Sequence, residues 1–137
     1  MSDMFLSLSR RFTGIIPTLT NTRPREWLRA SVGASLGILF SVWLCQQLFG
    51  LSVALLLIGP LGASAILLFA VPSGALAQPW SILGSYFLAS VVATAVAHYG
   101  GHTLDMAALA TGVTLVCMFV LRCVHPPGGA VALGVVL

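Results

Sequence analysis

Polar positions are sparse along this chain and fall in clusters, and the apolar stretches between the clusters define the elements. Residues 51–71 form an unbroken apolar run without a charge. At about 1.5 Å per residue, such a helix crosses a hydrocarbon core of roughly 30 Å. Comparable runs at 29–49, 82–97 and 106–124 predict three further spans, with a short apolar tail at 128–137. Phe49-Gly50-Leu51 leaves almost no loop, so the first two spans form a tight antiparallel hairpin. Residues 72–80, with Gln78-Pro79-Trp80, make a short loop. In residues 1–20, Phe5, Leu8, Phe12, Ile15 and Ile16 recur at helical spacing beside Arg10 and Arg11, which suits an interfacial helix. Pro17 cuts that segment, so a removed targeting peptide is not expected.

The fold class expected is therefore all-α: a polytopic membrane helix bundle of four spans plus a partial fifth. Residues 1–26 are a cytoplasmic interfacial segment and linker, and 27–137 one transmembrane domain. Composition agrees, since 58% of the chain is hydrophobic and only 7% charged, too little polar surface for a water-soluble domain of this size. The formal charge of +3 would suggest nucleic acid in a soluble protein, but all six basic residues are arginines and five precede residue 30. That is a topology signal placing the N-terminus in the cytoplasm, as in a bacterial inner membrane, with no nucleic-acid partner. By count the spans run out, in, out and in, which brings Arg122 to the cytoplasmic side. Cys45, Cys117 and Cys123 show no CxxC spacing, so neither a disulfide framework nor a metal or other cofactor is indicated.

Two proline sites interrupt the apolar pattern. At His125-Pro126-Pro127-Gly128-Gly129-Ala130, the pre-proline restriction stops the incoming helix near Val124, and Pro127 suits a first helical position. The new helix end would expose the amides of Gly128, Gly129 and Ala130 at the positive end of its dipole, a place that attracts anions. Pro60 deprives the Leu56 carbonyl of its helical partner in mid-span. An ordinary kink there is one reading. The other rests on an internal match, since residues 60–65 and 127–132 both read Pro-x-Gly-Ala-x-Ala, and paired broken helices of opposite direction are how inverted-repeat transporters build a binding site. On that reading the helices break at Pro60 and at Pro126-Pro127, the substrate site comprises Gly62, Ala63, Ser64, His125, Gly128, Gly129 and Ala130, and Arg122 steers the anion or merely anchors its helix end.

Other features have plainer readings. Gly33-xxx-Gly37 and the stripe Ser85, Ala89, Ala93, Ala97 permit close helix packing. His98 and His102 with Asp105 have ligand-like spacing, but Gly100-Gly101 between them favours a polar external loop over a metal site, with Asp105 capping the fourth span. The last ten residues cover only about half a bilayer as a helix, which suggests a chain cut short.

Taken in order, Gly62-Ala63-Ser64-Ala65 with Leu67-Leu68-Phe69, Leu76-Ala77-Gln78-Pro79, and His125-Pro126-Pro127 with Gly129-Ala130 resemble the signature of the HPP family of integral membrane proteins. The chain departs from the usual pattern at Gly128 and Trp80, where the family has Ala and Arg. The resemblance implies a membrane protein whose final helix continues beyond residue 137, and through plant and cyanobacterial relatives it implies nitrite transport. The functional expectation is a non-enzymatic transporter or channel for a small anion, nitrite first, in a homo-oligomer in the lipid bilayer. The alternative is a non-transporting assembly or sensor subunit. An intramembrane redox enzyme using Cys123 and His125 finds no second ligand set or acid-base pair.

Overall fold

In a computed structural model, residues 23–137 are described, and the expectations for residues 1–22 lie outside them. Five α-helices follow one another: α1 Pro24–Phe49, α2 Leu51–Ala70, α3 Pro79–Gly100, α4 Leu104–Val120 and α5 Pro126–Val136, with a 3-10 turn at Ala75–Ala77. α1, α2 and α3 are long and apolar enough to cross a membrane. α4 and α5, with 17 and 11 residues, reach about 25 Å and 16 Å.

The elements start and stop where local chemistry dictates. α1, α3 and α5 each begin on a proline, whose fixed φ suits the first helical turn and whose missing N–H would be unpaired there anyway. Gly50 serves two helices at once. Its φ of 89° reverses the chain, its amide donates to Gln46 O, closing α1, and its carbonyl accepts from Ala54 N, opening α2. Gly101, at φ 88°, closes α3 the same way on Ala97 O. The expected hairpin of spans one and two is thus made by a single residue.

α5 occupies the middle of the fold. It packs on α2, α3 and α4, whereas α1 packs chiefly along α2 and leaves most of its surface exposed. The buried face of α5, Pro127, Gly128, Val131, Ala132 and Val136, recurs at helical pitch and meets Ala89 and Ala93 of α3 and Ala107 and Ala110 of α4. Small residues allow this close approach. A Cβ on Gly128 would lie 2.6 Å from Met118 Cε and 3.0 Å from Ser85 Cβ, and one on Gly84 would lie 2.9 Å from Cys123 Cβ. The 85–89–93 stripe is consumed inside the chain by α5. The Gly33–Gly37 notch is likewise filled from within: Cβ atoms there would lie 2.5 and 3.1 Å from the ring of Phe69 on α2.

Four expectations need correction. α2 is one continuous helix with Pro60 inside it, so the break expected at Pro60 is absent. The fourth helix stops at Val120, not near Val124, and α5 begins on Pro126, one residue earlier than expected. Asp105 is in the first turn of α4 and Thr103 holds the cap position. The fourth helix ends early because its final carbonyls are claimed by a reversal in the chain: Cys123 N donates to Met118 O and Arg122 N to Phe119 O. This pair of bonds is a Schellman turn, with Arg122 in the left-handed position at φ 55°.

Candidate functional site

Because Cβ of a residue before proline clashes with the proline ring in the α conformation, His125 is held extended, at φ −148° and ψ 106°. It stands between the turn that ends α4 and the proline pair that starts α5. Its ring therefore leaves both helix axes and enters the space where α2, α3 and the 3-10 turn meet, with no exposed surface.

Every polar atom of that ring is paired. Nδ1 lies 2.6 Å from the carbonyl oxygen of Leu76 in the 3-10 turn, and Nε2 lies 2.7 Å from Ser64 Oγ of α2. Ser64, 8% exposed, is in turn 2.9 Å from the Tyr86 hydroxyl of α3. A carbonyl can only accept, so Nδ1 carries a hydrogen and donates to Leu76 O. In the neutral ring Nε2 is then an acceptor, which orders the rest: Ser64 O–H donates to Nε2, and Tyr86 O–H donates to Ser64 Oγ. The Tyr86 and His125 rings sit 6.0 Å apart at 37°.

The loop that supplies Leu76 is tied down on both sides. Ser81 Oγ donates to Ala75 O at 2.9 Å and Gln78 Nε2 to Gly74 O at 3.3 Å, so three successive carbonyls, of Gly74, Ala75 and Leu76, accept side-chain hydrogen bonds. Trp80 donates its indole N–H to Leu121 O at 3.1 Å and so links the start of α3 to the end of α4.

The structure joins some of the expected site residues and separates others. Ser64 and His125 are hydrogen-bonded, although 61 residues apart in sequence. The amides proposed to hold an anion are otherwise engaged. Leu61, Gly62 and Ala63 lie inside continuous α2, where the i→i−4 pattern gives each an acceptor in the preceding turn. At α5 the first two helical positions are Pro126 and Pro127, which have no N–H, and the next amide, of Gly128, donates to His125 O at 3.0 Å. From Gly129 onward the helical pattern supplies acceptors. The proline pair that starts the helix thus removes the donors an anion would use, and the paired helix-end site is not formed. Gly128 is buried against Met118 and Ser85 as a packing residue, while Ala130 is exposed. Arg122 is exposed and makes no side-chain hydrogen bond or ion pair among the described residues. Its left-handed conformation costs a non-glycine residue roughly 1 kcal/mol.

Elsewhere, His98 belongs to the last turn of α3 and packs edge-on against Tyr99 at 4.8 Å, while His102 Nδ1 donates to Val136 O at 2.6 Å, fastening the end of α5. Among the described residues no group of His, Cys, Asp or Glu is placed to hold a metal ion.

Sequence reasoning missed two members of the site. Tyr86 is an isolated tyrosine in an apolar span, with no spacing to single it out. Leu76 acts through its backbone carbonyl, although the stretch 76–79 that holds it was part of the family signature. Ser64, Leu76 and His125, one from each of the three stretches that carry the family resemblance, are the residues that meet.

The comparisons with known proteins agree on the class of protein. Two proteins of Dictyostelium discoideum described as transmembrane proteins match, one 38% identical over 56% of this chain and 28% of its own length, the other 31% identical over 79% and 35%. The chain thus spans about a third of the length of these relatives. No solved structure matches it significantly. The family model described as "HPP, transmembrane region" matches residues 19–137. This chain, with its apolar spans and its His-Pro-Pro turn at the meeting point of three signature segments, belongs to the HPP family of integral membrane proteins.

Proposed function

We propose that this chain is the membrane-spanning part of a transporter for small anions, with nitrite the first solute to test. The observation that supports this reading most strongly is the fully paired, unexposed imidazole of His125 in a helix bundle whose core is mostly small and apolar. Ionisable groups among membrane helices are costly and occur mainly on substrate and proton pathways. Here the fold uses a Schellman turn, two prolines and a tied loop to put one there. The anion class rests on the family resemblance and on charge: the described helices carry acids only at Glu26 and Asp105, each in the first turn of its helix, so among the described residues no carboxylate stands beside His125 to attract a cation.

The competing reading, an assembly or sensor subunit, drew on the small-residue stripe of α3, and that stripe is covered by α5 of the same chain. The transporting unit in this proposal is an oligomer of the chain. The test is nitrite uptake into proteoliposomes holding the full-length protein, with protein-free vesicles as background. Uptake above background that falls at least tenfold in Ser64→Ala supports the proposal; wild-type uptake no faster than background rejects it.

A further inference from the structure

The chain Tyr86–Ser64–His125 has a direction, and the direction is reversible. In the neutral state its hydrogens run from Tyr86 to Ser64 to Nε2, and the one lone pair by which the imidazole can take a proton is the one Ser64 occupies. A proton arriving at the Tyr86 oxygen displaces the tyrosine hydrogen to Ser64, and the serine hydrogen moves to Nε2. One proton enters, three O–H or N–H bonds form, two break, and no electrons are transferred. Afterwards Nε2–H donates to Ser64, Ser64 donates to Tyr86, and the Tyr86 hydroxyl, half-buried on α3, is left with a hydrogen that no member of the chain accepts.

Among the described residues the imidazolium so formed has no counterion. α2 and α5 contain no titratable side chain at all. On α3 the other titratable groups, His98 and Tyr99, lie about 18 Å along the helix from Tyr86, and on α4 Asp105 lies at the end far from His125, with Cys117 the only other such group. The 3-10 turn offers only the Leu76 carbonyl, and the segment bearing His125 adds buried Cys123 and exposed Arg122. A buried charge without a partner costs several kcal/mol, so the charged state persists only when an anion arrives with the proton.

We infer, resting on the transport reading above, that the site takes up a small anion and a proton together, with the Tyr86 hydroxyl as the group that touches the anion. By linkage each of the two ligands strengthens binding of the other by the same factor. The ligand class is the conjugate base of a weak acid, taken up in effect as the acid.

The experiment uses full-length protein in vesicles with a trapped pH dye, membrane voltage clamped, and an inward nitrite gradient, with protein-free vesicles subtracted for passive entry of nitrous acid. The expected result is one proton entering per nitrite. In Tyr86→Phe, nitrite flux is expected to fall at least tenfold while the protein remains monodisperse. Nitrite flux unaccompanied by protons overturns the inference and leaves anion transport standing, as does an undiminished flux in Tyr86→Phe. No nitrite flux above background in the wild type overturns the transport reading, and this inference with it. The proton count uses wild-type protein, so it decides the matter even if the variant fails to fold.

Discussion

Pro60 and Pro127 head the same six-residue pattern, the second with Pro126 in front of it, yet the chain treats the two sites differently. The helix passes through Pro60 without interruption and starts anew at Pro126. What precedes each proline accounts for the difference. The clash that forbids the α conformation before proline involves the Cβ of the preceding residue. Before Pro60 stands Gly59, which has none, so the Cβ part of that clash is absent and what remains is the lost hydrogen bond and the crowding of the ring against the Leu56 carbonyl. Before Pro126 stands His125, which has a Cβ and is driven into extended backbone, already one turn beyond the Schellman reversal at Arg122. A repeated motif therefore need not be a repeated structure. One copy is a helix that tolerates a proline, and the other is a device that throws an imidazole sideways into a buried cluster.

The largest expected effect tests the second half of that comparison. His125→Phe keeps an aromatic ring of similar bulk but leaves the Leu76 carbonyl, and the Ser64 hydrogen that pointed at Nε2, without partners. Each buried unpaired group costs about 1–3 kcal/mol, so a loss of about 3 kcal/mol is expected, read as the largest drop in thermal stability of detergent-solubilised variants. If His125→Phe is as stable as wild type, the ring is not held by the hydrogen bonds described. Second in size is Gly128→Ala, in the turn of α5 just beyond the prolines. Its Cβ would sit 2.6 Å from Met118 Cε and 3.0 Å from Ser85 Cβ. Met118 is flexible but fully enclosed, so the expected cost is about 1–3 kcal/mol by overpacking. The matching position in α2, Leu61, carries a large side chain without difficulty, which again marks the two copies as structurally unlike.

How much of this was legible in the sequence follows from the same contrast. Apolar runs bounded by Gly50, Pro79 and Gly101 give the helices, because chain reversal in so few residues demands positive φ or a proline start. The break at His125 follows from the pre-proline rule, and Ser64 and His125 stand out as polar residues in apolar surroundings. The anion site expected at the helix ends is absent because a helix end offers only the amides its residues carry, and two of the first three positions of α5 are prolines. The continuity of α2 was also there to be read, in the absent Cβ of Gly59. Tyr86 and the Leu76 carbonyl were not legible in the same sense: what recruits them is the packing of α3 and the 3-10 turn around His125, a long-range outcome that local periodicity does not encode. The central position of α5, the shortest helix, is likewise a matter of tertiary packing among small residues.

The smallest expected effect bears directly on why α2 continues. Around Gly59 the space is open, with no atom within 4 Å of a built Cβ apart from the chain beside it. On helix propensity alone, Gly59→Ala would gain about 0.5–1 kcal/mol. In front of a proline the new Cβ meets the pyrrolidine ring, so a net loss of about 1 kcal/mol is expected instead. In a chain that also carries Pro60→Ala the clash is gone, the Leu56 carbonyl regains an amide partner, and Gly59→Ala becomes favourable. The four stabilities form a double-mutant cycle, and a coupling of about 1–2 kcal/mol between adjacent positions is the signature sought. Additive effects would mean that the helix passes Pro60 for a reason other than the missing Cβ, for instance because α1 and α5 clamp it from both sides.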